Sequence, residues 1–335
     1  MDQMNSVFSR RLLSSFNISD ELINKLFAKG LTLKSQIQWL SDSKLRSMCG
    51  LSESEMDVIN KVVRHSHKTA INAMTIQEML RTRYPPLKSP SFSLDRALGG
   101  GLQVSQITQF CGEGGVGKTQ ICMQYCINVQ LPQRMGGLSG QALYIDTEAN
   151  LRPQRLASMA QFYLNCDQQL RETHSVESMQ SAVHVFTCNT TAKDLVELIV
   201  TRVEPFIEHN PQIRLVVVDS IAHLFRYDYN GSNDQKDYEL CQIGHKLKQI
   251  AHTKKVAVVI ANQVSFSFKE NKNVPSLGRI WQAFCSTSFM IRRMSIDSTR
   301  IGSTIKSVNF DNSRKFYVKL TENGVQEALS LPGYD

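Results

Sequence analysis

The amino-acid sequence predicts an α/β fold: a mostly parallel sheet covered by helices, with a small all-helical domain ahead of it. Three observations point there. Short apolar runs at 107–110, 142–145, 183–186, 215–218 and 256–260 alternate with amphipathic stretches. Continuous β-branched runs of this length suit strands buried on both faces. Residues 10–68 instead carry their apolar side chains at helical spacing. Between the two regions lies a proline-rich stretch, Tyr84-Pro85-Pro86-Leu87-Lys88-Ser89-Pro90, which is stiff and bars helix continuation. With 335 residues, 41% of them hydrophobic, the chain can bury one large core plus an appendage.

The chain is expected to divide into a helical domain at 1–68, a linker at 69–92 and an α/β core at 93–335. Ser19 is placed to cap a helix with Asp20 and Glu21 in its first turn, Lys25 and Lys29 at its end and Gly30 as its stop. Leu22, Ile23, Leu26 and Phe27 form its apolar stripe. A later helix over 53–65 buries Met56, Ile59, Val62 and Val63 at similar spacing. Cys49-Gly50-Leu51-Ser52 between them is a tight turn of the helix-hairpin-helix type. No internal repeat or low-complexity run is visible.

The formal charge of +8 is a mild bias towards polyanions, of a size that proteins without nucleic-acid partners also carry. No apolar stretch approaches the ~20 residues of a membrane span. Only short apolar pairs, not a continuous apolar run, follow Arg10 and Arg11, so a secretory signal is not expected. The eight cysteines are scattered without a Cys-x-x-Cys pair, and Cys122 and Cys126 share a helix face. They read as buried thiols in a reducing, intracellular compartment rather than as zinc ligands or a disulfide framework.

Gly112-Glu113-Gly114-Gly115-Val116-Gly117-Lys118-Thr119 is a complete Walker A pattern, set between the strand at 107–110 and a helix at 120–129. Its glycines let backbone N–H groups wrap phosphates, and the helix N-terminus adds its dipole. Lys118 is expected to reach the β- and γ-phosphates of ATP, and the Thr119 hydroxyl to ligate Mg²⁺. Gln120 completes the ATP-binding set. Leu215-Val216-Val217-Val218-Asp219 reads as the Walker B strand, with Asp219 facing the same Mg²⁺. Tyr144-Ile145-Asp146-Thr147-Glu148 supplies a carboxylate just past a neighbouring strand, and Glu148 is the expected catalytic base.

At this point the residues resemble a known family. Gly-Lys-Thr-Gln-Ile-Cys (117–122), Val-Gln-Leu-Pro (129–132), Tyr-Ile-Asp-Thr-Glu (144–148) and Arg-Pro-Gln-Arg-Leu (152–156) are similar to the eukaryotic RecA-like strand-exchange recombinases. So are Val-Asp-Ser-Ile-Ala-His-Leu-Phe-Arg-Tyr-Asp-Tyr (218–229) and Val-Val-Ile-Ala-Asn-Gln-Val (258–264), together with Leu98-Gly99-Gly100-Gly101 and Asn323-Gly324-Val325. The resemblance covers nearly the whole chain and implies a RecA-like P-loop ATPase core. It makes Gln263 the γ-phosphate sensor and Arg155 the arginine that packs on the adenine. It also implies two DNA-binding loops, one after residue 225 and one over 265–279, carrying Arg226, Lys269, Lys272 and Arg279. Read without the family, both are ordinary solvated loops.

Departures from the family choose the branch. Where the linker should carry a Phe-x-x-Ala anchor for the next subunit, this chain has Ala70-Ile71-Asn72-Ala73-Met74, with Ile71 the nearest stand-in. The segment that should cap the neighbour's nucleotide, 303–314, has no proline and only Asp311 as an acidic group. Gly50 is a single glycine followed by Glu53 and Glu55, a weak phosphate grip. These changes spare the ATP pocket and alter contacts between identical subunits. The resemblance therefore implies a recombinase paralogue of the X-ray-repair cross-complementing mediator branch. Its expected partners are single- and double-stranded DNA, a second paralogue in a heterodimer and the strand-exchange recombinase, and its expected place is the nucleus with some in the cytoplasm. A self-filamenting recombinase and an ATP-clamped scaffold are the alternatives.

Overall fold

The computed structural model describes residues 18–32, 36–37, 40–64, 75–81, 83–227, 233–268, 271–294, 298–311 and 313–328. Ile71, Lys269 and the 228–231 part of the first expected DNA loop lie outside these residues. The chain divides into two compact units, Met1–Thr82 and Arg83–Asp335.

In the smaller unit, Ser19 caps helix α1 (Asp20–Phe27), its hydroxyl accepting from the Leu22 amide. Leu22 and Leu26 are buried with Leu45, Met56, Ile59 and Val63 in one cluster. Phe27 departs from the expected stripe and is 39% exposed, because Leu22 and Leu26, four residues apart, already define the inward face. Helix α2 (Asp42–Cys49) ends at Gly50, whose φ of 62° is left-handed and whose amide reaches back to the Arg46 carbonyl. Helix α3 (Glu53–Val58) opens with a capping box between Ser52 and Glu55. Glu55 also accepts from Lys25 Nζ at 2.7 Å, and that ammonium holds its carboxyl down at about 2. The single helix expected over 53–65 is instead α3 followed by a π-helical turn over Ile59–Arg64. Helix α4 covers Ile76–Arg81.

In the larger unit, residues 83–92 are seated rather than free-running. Leu87 is buried and exchanges two backbone hydrogen bonds with Leu102, at 2.9 and 2.8 Å. Prolines bar a helix but not this extended seat. Ser91 then caps helix α5 (Phe92–Ala97) and donates to Glu327 at 2.5 Å. Asp95 in that helix accepts from the Ser89 amide at 2.9 Å, and burial pushes its carboxyl up to about 6.

The core is a nine-stranded sheet: β1 (Ile107–Gly112), β2 (Gln141–Asp146), β3 (Val183–Thr187), β4 (Ile213–Asp219), β5 (Ala257–Asn262), β8 (Thr287–Arg293), β9 (Thr299–Ser307), β10 (Lys315–Thr321) and β11 (Gly324–Glu327). Its order is β11-β10-β9-β8-β1-β5-β4-β2-β3. The six strands from β8 to β3 run parallel, and β9 to β11 extend the sheet in antiparallel fashion. Period-two alternation sends Leu215 and Val217 into one apolar cluster and Val216 and Val218 into the other, so both faces are covered. β1 and β5 are buried throughout, as expected of central parallel strands. β3 is not. It is the sheet edge, alternates in burial and leaves Val185 43% exposed.

Where a loop was expected over 265–279, the chain folds β6 (Val264–Ser267) onto β7 (Lys272–Pro275) as an antiparallel hairpin, followed by a helix over Gly278–Phe284. Arg279 therefore sits on a helix, as does Arg226, near the end of the helix Ile221–Tyr227. Among the described residues no helix is long and apolar enough to cross a membrane. All eight cysteines are free, but Cys166 is exposed and Cys241 half-buried, so the expectation of buried thiols fails for those two.

Candidate nucleotide-binding site and the adjacent hairpin

Parallel strands bring their C-terminal ends to one edge, and there the expected residues meet. β1 delivers Gly112, β2 Asp146, β4 Asp219 and β5 Asn262, with Asp146 beside Asp219 in register. The loop after β1 turns into helix α6 (Lys118–Asn128) at Gly117, which has a φ of 102°. A Cβ there would lie 2.6 Å from the Leu320 side chain, so only glycine fits. No side chain caps this helix, which leaves its first N–H groups to the loop's concavity.

Lys118 Nζ donates to the carbonyls of Gly112 and Glu113 at 2.9 and 2.8 Å. Burial pulls its pKa below the usual lysine value, while Asp219 and Glu148 push the other way. Asp219 is buried, accepts from the Tyr144 hydroxyl at 2.6 Å and from Thr119, and has its carboxyl raised by burial. The peptide between Asp219 and Ser220 is cis.

Glu148 is held in place by the ends of β2 and β4. Asp146 accepts the amides of Glu148, Asn150 and Leu151 at 3.1, 3.3 and 3.1 Å, and so shapes the turn. Within that turn Ala149 adopts a φ of 53°. Thr147 and Ser220 exchange two hydrogen bonds of 2.8 Å. Glu148 Oε1 then accepts from Ser220 Oγ at 2.6 Å and from Gln263 Nε2 at 2.9 Å, with His223 Nδ1 3.8 Å away. Asn150 donates to Oε2 at 3.1 Å. Gln263 and Glu148, 115 residues apart, are in direct contact.

Arg155 donates to Gln120 at 2.6 Å and to the carbonyls of Thr321, at 2.5 Å, and Glu322. It thereby joins the loop's helix to the β10–β11 turn. Arg226 donates to the Val264 carbonyl at 3.0 Å, at the root of the hairpin. Lys272 and Arg279 are exposed. At the hairpin's far end Phe266 and Phe268 are 51% and 91% exposed, with rings edge-to-face at 5.3 Å.

Several contacts at the candidate site were not expected from the sequence. Tyr144 holds Asp219. Arg293 donates to the Gly115 carbonyl at 2.8 Å and Arg300 to that of Val116 at 3.0 Å, from adjacent strands where the two arginines face each other in register. Burial and Arg293 both lower the pKa of Arg300. Asn273 on β7 donates to Glu113 at 2.8 Å. For Tyr144 the period-two alternation that aims it and Asp146 to one face of β2 was the available clue. For the arginines and Asn273 there was none.

The family model for Rad51 matches residues 81–328. The chain belongs to the Rad51 family. Within that family it is 29% identical over 296 residues to DNA repair protein RAD51 homolog 3 of Cricetulus griseus, covering 81% of each chain. It is 33% identical over 249 residues to DNA repair and recombination protein RadA of Metallosphaera sedula, covering 74% of each. Meiotic recombination protein DLH1 of Candida albicans is 28% identical over 336 residues, 98% of this chain and 99% of that one. The α/β core and the resemblance to eukaryotic RecA-like recombinases and their paralogues accord with these matches.

Proposed function

We propose that this Rad51-family chain is an ATP-dependent DNA-binding ATPase, a recombinase paralogue acting in homologous recombination and double-strand-break repair as a mediator of the strand-exchange recombinase. The observation that carries the reading is the hydrogen bond from Gln263 to Glu148, which joins the base to the residue that opens the hairpin. The donor set fits Mg²⁺–ATP: a hydroxyl and a buried carboxylate already in contact, beside an uncapped helix N-terminus. Mg²⁺ favours one or two protein oxygens completed by phosphate and water. Bound Mg²⁺–ATP would supply a γ-phosphoryl group whose charge the metal partly neutralises.

The chain's own residues do the rest. Lys118 exchanges two loop carbonyls for phosphate oxygens. Thr119 and Asp219 would hold the metal, Tyr144 fixes the Asp219 carboxylate, and Glu148 would orient water for attack while Gln263 would read the γ-phosphate. Arg155 closes the adenine side. Arg226, Lys269, Lys272 and Arg279 hold DNA phosphates, and the exposed phenylalanines stack on bases.

Ile71 serves as the anchor for a second paralogue, and the work is done in the nucleus, with some of the protein in the cytoplasm. Size-exclusion chromatography with ATP and single-stranded DNA tests this assignment. A small, ATP-dependent DNA complex is expected, whereas a long homopolymer would make the chain a strand-exchange recombinase instead.

A further inference from the structure

Glu113 is the first residue of the phosphate loop after β1, and the structure uses it twice. Its carbonyl accepts from Lys118 Nζ at 2.8 Å. Its carboxylate accepts from Asn273 Nδ2, also at 2.8 Å. Asn273 pairs across the hairpin with Phe266, whose ring packs on Phe268 at the exposed end. The hairpin is thus held on both strands: β6 at its root through Gln263 and Glu148, and β7 nearer its far end through Asn273 and Glu113. A cavity of about 340 Å³ separates the two attachments, lined by Glu113, Gly114, Arg226, Gln263 and Asn273 among others.

We propose that Glu113 is a positioning residue that couples the phosphate loop to the hairpin through Asn273, independently of Gln263. This coupling rests on the ATP-dependent DNA-binding function proposed above. Lys118 cannot hold the Glu113 carbonyl and a phosphate oxygen with the same N–H groups. When it turns to phosphate, the Glu113 peptide is released, and the carboxylate carries that change to β7. The docked hairpin is the state that binds DNA weakly, and release favours DNA. By reciprocity, DNA on the hairpin then favours nucleotide in the loop.

Asn273→Asp places a second carboxylate against Glu113 and breaks the latch. The double variant Glu113→Gln/Asn273→Asp restores the hydrogen bond with donor and acceptor exchanged and returns the pair to its original charge. The measurement is the affinity of the full chain for a labelled single strand, with and without Mg²⁺ and a non-hydrolysable ATP analogue, read as the ratio of the two affinities. Asn273→Asp should cut that ratio by about fivefold or more, and the double variant should return it to within about twofold of the parent. If Asn273→Asp weakens DNA binding equally in both states, the new charge alone is acting and the latch is refuted. Failure of the double variant to restore the ratio refutes it as well. A parent whose ratio is one refutes the functional reading itself, and the latch with it.

Discussion

Glu148 meets its surroundings with both carboxylate oxygens already engaged, Oε1 by Ser220 and Gln263 and Oε2 by Asn150. Glu148→Gln should leave ATP binding intact and slow hydrolysis by about 10²-fold in a single-turnover assay. Lys118→Ala should abolish calorimetrically detectable nucleotide binding, since it removes the one side-chain cation of the Walker A loop. Asp95 behaves in the opposite sense to a salt-bridged carboxylate. Burial raises its folded value to about 6, so the folded state holds a proton that the unfolded chain has already lost. Stability contributed by this group therefore falls as pH rises from about 4 to about 6 and is level on either side. Denaturation of Asp95→Asn against pH should show a gain over the parent of up to about 2 kcal/mol above pH 6 that vanishes below pH 4. None of this was legible at Asp95 from the sequence, where it is one carboxylate among thirty. Lys118, Thr119, Asp219, Glu148 and Gln263 were legible because each sits in a short contiguous motif. Asn273, Arg293 and Arg300 were not, because what they touch is fixed by sheet register between distant segments.

At the scale of elements, the parallel strands were readable from their unbroken apolar runs, since a strand covered on both faces needs no polar positions. The hairpin was half readable. Val264-Ser265-Phe266-Ser267 alternates with period two, the mark of a strand with one wet face, but Lys272-Asn273-Val274-Pro275 has no such pattern and takes its strand form from pairing with the first. The hairpin sets a salt test. If Arg226, Lys269, Lys272 and Arg279 meet phosphates, the slope of log affinity against log salt on single strands should be about −0.7 per contact. Replacing all four by alanine should flatten it, and an unchanged slope would remove them from the DNA site. Another prediction concerns the turn after β2, where Ala149 occupies the left-handed region. Ala149→Gly relieves a Cβ strain of about 1–2 kcal/mol while adding chain entropy, for a small net gain in a melting experiment.

The larger unit holds the whole candidate nucleotide constellation, while the proposed assembly anchor, Ile71, lies outside the described residues. A segment that joins a neighbour's sheet edge draws affinity from main-chain hydrogen bonds and specificity from side-chain pockets. Truncating a buried aromatic anchor commonly costs ~2 kcal/mol or more, a deficit that a filament repeats at every interface and a heterodimer meets once. Ile71→Glu should abolish co-purification with a partner paralogue and leave nucleotide binding unchanged.

The phosphate loop also has a place in time. Its motif lies at 112–119, yet its walls come from the other end of the chain: Arg293 and Arg300 on its carbonyls, Leu320 against Gly117, and the Thr321 and Glu322 carbonyls on Arg155. Domains fold as they emerge from the ribosome, N-terminal parts first. A nascent chain that has delivered both Walker motifs, and even the hairpin, still lacks these walls. Stalled chains ending before β10 should fail to retain nucleotide, and capture should begin only once the last antiparallel strands are out. On the proposed ATP-binding function, synthesis itself would withhold nucleotide from an unfinished molecule.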